Sequence, residues 1–244
     1  MIKQIPYGLT DFGRIQKENY YYVDKTMFIE KIEMQPSYLF LIRPRRFGKS
    51  LTLAMLEAYY DVRYADQFDE LFGHLYIGQH PTPIHNQFLI MRFNFSEVSS
   101  NINEVEESFR LHCCGKLSDF VYRYEHLLGK DIWNVLDEKT QADPGAFLSS
   151  INTYATRKGD LKIYLLIDEY DNFTNTILST YGTDLYRKAT HSEGVYPQVF
   201  QCNQSRHDGN GFCRQPFVHH RSKPGDDGRR DKRIQHRNEY HHRP

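Results

Sequence analysis

Residues 37–56 read SYLFLIRPRRFGKSLTLAML, and how this stretch is parsed decides the fold. Residues 38–42 form a short, continuous apolar run, the pattern of a buried strand. The run stops at Arg43. Pro44, Arg45, Arg46 and Phe47 follow, then Gly48-Lys49-Ser50, then Leu51, Leu53, Ala54, Leu56 and Ala58 among helix formers up to residue 60. Strand, loop, glycine, lysine, hydroxyl and helix is the order of a phosphate-binding loop. The usual loop has a glycine five positions before Gly48, and Arg43 stands there in this chain.

The rest of the chain supplies further elements of the same grammar. FLIMRFNFS (88–96) reads as a second strand, and IYLLIDEYD (163–171) as a third that ends in acids. Between them, residues 101–128 carry a helical pattern, with Val105, Phe109, Leu111 and Leu117 expected to face inward. Near the start, Asp24 is placed as the N-cap of a helix that turns Phe28, Ile29 and Ile32 to one side. Strands separated by helices predict an α/β fold with a mainly parallel sheet.

Composition narrows the function classes. Lys+Arg and Asp+Glu balance at 31 each, so net charge makes no case for nucleic acid or an acidic membrane surface. The longest early apolar run is far short of the roughly 18 residues of a membrane helix, and the first residues lack a signal-peptide core. The expectation is a cytoplasmic protein without a membrane partner. Four cysteines, two of them adjacent (Cys113 and Cys114), do not form a disulfide framework. His112-Cys113-Cys114 lies in the helical pattern with no second ligand pair and reads as core or helix surface. The tyrosines at 20–22 and 59–60 read as core and rim packing.

The composition breaks after about Tyr196. Residues 197–244 hold no leucine, a single isoleucine (Ile234), ten Lys or Arg and six of the twelve histidines. A segment so poor in apolar residues is expected to be a disordered, basic tail, which divides the chain into units 1–196 and 197–244. Cys202, Cys213, His219 and His220 do not keep zinc-ligand spacing. A one-base change of frame lets VFQCNQSRHDGNGFCR read FFNVIKAGTTGTGSVA, and lets the segment from His219 read ITGVSPVTMDDVTSGFNIGTNITT. The tail is therefore expected to be a frameshift product, with one base gained near the codons of Tyr196 and Pro197. The nucleotide sequence of the gene tests this.

The chemistry sits at two strand ends. Backbone N–H groups at the start of the helix after Gly48 favour phosphate oxygens. Lys49 is placed to reach the β- and γ-phosphates, and Ser50 to put its hydroxyl on Mg²⁺. Arg43, Arg45 and Arg46 could add charge-assisted contacts. At the other strand end, Asp168 is placed to hold the metal, and Glu169 to orient or deprotonate an attacking water. Asp171 reads as a helix cap. Each motif alone is a weak signal; together, each at the carboxyl end of a strand, they point to a nucleotide site.

Three segments, IPYGLTDFGRIQKENYYYVDKTMFIEKIE, LIRPRRFGKSLTLAMLEAYYD and YLLIDEYDN, resemble the AAA-ATPase-like P-loop family of bacterial proteins over about residues 3–196. The most specific part is RPRRFGKS, because that family also lacks the first glycine. The resemblance implies a P-loop NTPase fold (RecA/AAA-like, three layers) that binds ATP with Mg²⁺ through Arg43–Leu51 and uses Asp168 and Glu169 as the acidic strand end. Many members carry a PD-(D/E)xK nuclease-like domain toward the C-terminus, which implies nucleic acid as a partner of full-length relatives. The shifted string ITGVSPVT also resembles the segment that family members carry after this region.

In such folds a fourth strand lies between the first and third. Here the matching segment reads FVHHRSKPG, so a gap at the sheet centre is expected, with a poorly folded and weakly active chain. The implied activity is Mg-dependent ATP binding and hydrolysis. The alternatives are a nucleotide-binding switch with little hydrolysis and a nucleic-acid-binding protein acting through its basic tail.

Overall fold

The computed structural model describes residues 3–35, 38–41, 47–99, 101, 104–159, 161–169 and 217–219. Arg43, Pro44, Arg45, Arg46, Asp171 and most of the tail lie outside the described residues. The elements run α1 (Phe12–Lys17), α2 (Phe28–Glu33), β1 (Tyr38–Phe40), α3 (Lys49–Tyr60), α4 (Phe68–Phe72), α5 (Tyr76–Gln79) and β2 (Phe88–Asn94). Then come α6 (Val105–Arg123), α7 (Glu125–Leu128), α8 (Glu138–Ala142), α9 (Pro144–Gly159), β3 (Lys162–Asp168) and β4 (Phe217–His219).

The expected mixture of helices and parallel strands is present. Four strands form one sheet in the order β1-β4-β3-β2, and every pairing among them is parallel. β2 and β3 pair from Phe88↔Lys162 to Asn94↔Asp168. Their side chains alternate between faces, as strand geometry requires. Leu89, Met91 and Phe93 of β2, with Ile163, Leu165 and Ile167 of β3, join a core with α6 and α9. Phe88, Ile90, Tyr164 and Leu166 face the other way, onto a core with α1, α3 and α4. Both faces are thus covered by helices, which is why the two strands read as continuous apolar runs.

The gap expected at the sheet centre is not there. Phe217–His219 lies between β1 and β3, with Tyr38↔Phe217, Leu39↔Val218 and Phe40↔His219 on one side and Leu166↔Val218 on the other. Ladder hydrogen bonds come from the backbone, so a short extended segment can fill the position. These three tail residues form β4.

Three local expectations are corrected. Asp24 does not cap α2, whose N-cap is Met27 without a side-chain bond. Its carboxylate instead accepts from the Thr26 N–H at 2.8 Å and hydroxyl at 2.7 Å. It also accepts from the Tyr76 N–H, opening α5, at 2.7 Å. Burial acts to raise the Asp24 pKa, but these hydrogen bonds prevail and lower it. Leu111 is exposed, while Phe109 and Leu117 are buried as expected. The long helix breaks at Tyr124, whose ring turns into the core.

His112 and Cys113 take the expected core or near-core places on α6: Cys113 is buried and free, and the His112 ring lies 5.9 Å from that of Phe95. Nε2 of His112 is buried with no hydrogen-bond partner, and Nδ1 is 3.6 Å from Glu97. Burial, helped by Lys116 and opposed by Glu97, lowers the His112 pKa below its ordinary 6.5. The unfolded chain therefore takes up this proton first as pH falls. Stability is present above pH 6.5 and is lost from there down to the lowered value. His112→Phe is expected to leave neutral stability within about 1 kcal/mol and to flatten this acid-side loss. Melting temperature followed against pH checks it; parallel profiles for the two proteins would refute it.

Candidate functional site

Gly48 caps α3 with φ 70° and ψ 29°, a left-handed conformation that side chains resist. Among the described residues, an added Cβ there would meet nothing within 4 Å, so the requirement for glycine is conformational. The Gly48 carbonyl accepts from the Thr52 N–H at 2.9 Å and from the Thr52 hydroxyl at 2.9 Å, which fixes the first turn. Helix-start amides lack intrahelical acceptors and carry the positive end of the helix dipole. Lys49 begins this helix only 7% exposed. Ser50 and Leu51 are half-buried, and Phe47, just before the cap, is exposed.

At the end of β3, Asp168 is 2% exposed. Its Oδ1 accepts from the Glu169 N–H at 3.1 Å, and its Oδ2 lies 3.6 Å from Nη2 of Arg92. Glu169 has φ 53°; the other non-glycine residues with positive φ, among the described residues, are Asn19 and Asn86. Asparagine tolerates that region and glutamate does not, so Glu169 holds strain of about 1–3 kcal/mol.

Because the sheet is parallel, the carboxyl ends of β1 and β3 lie along one edge. The chain leaves β1 for α3 on one face, and leaves β2 for α6 on the other. Open α/β sheets bind ligands beyond the carboxyl ends of their strands.

Two residues that the sequence reading passed over tie the helix to the acidic strand end. Glu57 lies two turns beyond Lys49 on α3, and its Oε2 is 3.0 Å from Nη1 of Arg92. Arg92 thus bridges Glu57 and Asp168. One signal was visible: Arg92 is the charged residue inside the apolar run FLIMRFNF.

The donor set fits magnesium. A strand-end carboxylate and a helix-start hydroxyl are hard oxygen ligands, and Mg²⁺ commonly takes one or two protein oxygens with the remainder from phosphate and water. Among the described residues there is no group of three or more His, Cys, Asp or Glu that would make an all-protein metal cage. None of the described helices is long and apolar enough to cross a membrane.

The family model for predicted AAA-ATPases (AAA-ATPase-like) matches residues 6–207, and the chain belongs to that family. The match runs past the composition break near Tyr196. Among curated proteins, an uncharacterized protein in the vnfD 5' region of Azotobacter chroococcum mcd 1 is 30% identical over 179 residues. That alignment covers 69% of this chain and 29% of the relative, so the chain spans less than a third of the relative's length. No solved structure matches.

Proposed function

We propose that the chain is a Mg-dependent ATP-binding module that hydrolyses ATP, with a P-loop NTPase arrangement of its strands. The observation that carries this reading is the buried Lys49 directly after left-handed Gly48, on the sheet edge that also ends in Asp168 and Glu169. In this reading the Lys49 ammonium donates to β- and γ-phosphate oxygens beside the first-turn amides of α3. Ser50 and Asp168 would hold the metal, which would supply charge neutralisation to the phosphates. Glu169 accepts a proton as a water oxygen bonds to the γ-phosphorus; the bond to the β–γ bridging oxygen breaks, and ADP and phosphate leave.

Glu169→Gln tests the step. Hydrolysis is expected to fall roughly 10²- to 10⁴-fold, the usual worth of a general base, while ATP binding stays within about twofold. Turnover measured beside equilibrium binding checks both. A second reading is a nucleotide switch with little hydrolysis that drives a conformational change in an attached domain. The switch would lose little on this substitution.

A further inference from the structure

A cavity of about 420 Å³ opens beside Gly48 and runs along α3 as far as Leu56. That is about 12 Å of helix, and the volume lies in the range of small-molecule sites. Its walls include Phe47, Gly48 and the first two turns of α3, Leu39 and Leu41 in and beside β1, and residues of the N-terminal segment at Pro6 and from Tyr21 to Gln35. Around it, Tyr21, Val23, Phe28 and Phe47 are 56%, 55%, 43% and 65% exposed. Four large apolar side chains left open about one cavity are unlike a packed core, where such groups are covered.

Tyr21 is also held in place. Its N–H donates to the Gln4 carbonyl at 2.8 Å, which pins the backbone beneath the ring. Two of the wall residues are Gly48, the N-cap of α3, and Phe47 just before it. A ligand whose phosphates sit on the α3 amides would carry its organic end into this space. Flat aromatic bases suit such a lining, because stacking on an aromatic side chain needs no particular hydrogen bond. Among the described residues, the polar groups at its walls include Lys25, Lys31, Gln35 and Thr52, and no carboxylate lines it. Guanine's N1–H and 2-amino donors would find no acidic partner, whereas adenine needs none.

We propose that this cavity takes the adenine and ribose of the nucleotide, with Tyr21 as the stacking residue that sets base affinity. The proposal rests on the ATP-binding reading and adds the site for the base. The test is equilibrium binding of Mg-ATP, Mg-GTP and inorganic tripolyphosphate to the full chain and to Tyr21→Ala, Tyr21→Trp and Lys49→Ala. Tyr21→Ala is expected to weaken Mg-ATP about tenfold and leave tripolyphosphate unchanged. Tyr21→Trp should restore ATP binding, which a merely structural role for the phenol would not predict. Mg-GTP should bind more weakly than Mg-ATP. If ATP binds through Lys49 but Tyr21→Ala changes nothing, or changes ATP and tripolyphosphate equally, the base assignment falls and the nucleotide reading stands. Mg-GTP binding as tightly as Mg-ATP would overturn adenine as the base. If the parent chain binds neither ATP nor tripolyphosphate, both readings fall together.

Discussion

A chain carrying Lys49→Ala is expected to melt at the same temperature with and without magnesium and ATP. The parent chain, at a nucleotide concentration about a hundred times its Kd, should gain about 2.7 kcal/mol from the ligand. The reason is positional. Lys49 is the first residue of α3 and 7% exposed, so its ammonium sits in a poorly solvated place where a charge interacts strongly. In the proposed reading, removing it deletes the point charge aimed at the β- and γ-phosphates. Affinity should fall at least about a hundredfold, and hydrolysis roughly 10²- to 10³-fold as for other lost transition-state donors. Without ligand the variant should be about as stable as the parent, because burying an ammonium carries its own desolvation penalty. Thermal melts with and without Mg-ATP decide it. A variant stabilised as much as the parent would remove the nucleotide reading.

Asp61→Ala is expected to be the most damaging single change to the fold, at about 3–5 kcal/mol. Asp61 is fully buried where α3 ends. Its carboxylate accepts from the Arg63 N–H at 2.9 Å, Nε at 2.9 Å and Nη2 at 2.6 Å, and from the Tyr124 hydroxyl at 2.8 Å. That hydroxyl accepts from the Ile90 N–H in β2 at 2.9 Å. One carboxylate therefore joins α3, β2 and the end of α6. Burial acts to lower the Arg63 pKa, yet the bonds to Asp61 prevail and raise it, as expected of a guanidinium held by an anion. Alanine would leave a guanidinium, a phenol and a backbone N–H without their acceptor. Against a typical net stability of about 5–15 kcal/mol, that is a large share. Asp61→Asn keeps an acceptor and should lose less. Urea denaturation of both variants checks the order, and an alanine variant as stable as the parent would refute it.

The effect should reach the site. Arg63 also lies 3.6 Å from Glu57, which holds Arg92, which in turn lies beside Asp168. Loosening Asp61 would therefore be felt at the acidic strand end through a chain of packed charges.

The local part of this architecture was legible in the residues. α3 begins at Lys49 and ends at Tyr60, where the helix-forming run begins and ends. β2 and β3 are continuous apolar runs because both faces are covered. What pattern could not supply is pairing across distance. Asp61 with Tyr124, and Glu57 with Arg92, become partners only when strand and helix are stacked. Asp24 looked like the cap of the helix just after it, yet its carboxylate serves an amide 52 residues away. Leu111 fits a helical stripe but faces outward, because a 19-residue helix has more apolar positions than its contact face can cover. The centre strand was missed for the opposite reason: a ladder of backbone bonds asks little of side chains.

That centre strand also sets an order of assembly. β2 and β3, with α6 to α9 between them, are neighbours in sequence and can associate early, since their contacts close modest loops. β1 cannot dock on them directly, because β4 stands between β1 and β3. Its pairing waits for residues 217–219, separated from it by most of the chain, and closing so long a loop is slow. β1, the strand before α3, is thus expected to be the last part of the sheet to form. A nascent or nicked chain that lacks this triplet is expected to hold a formed β2–β3 body while the proposed nucleotide pocket stays unbuilt.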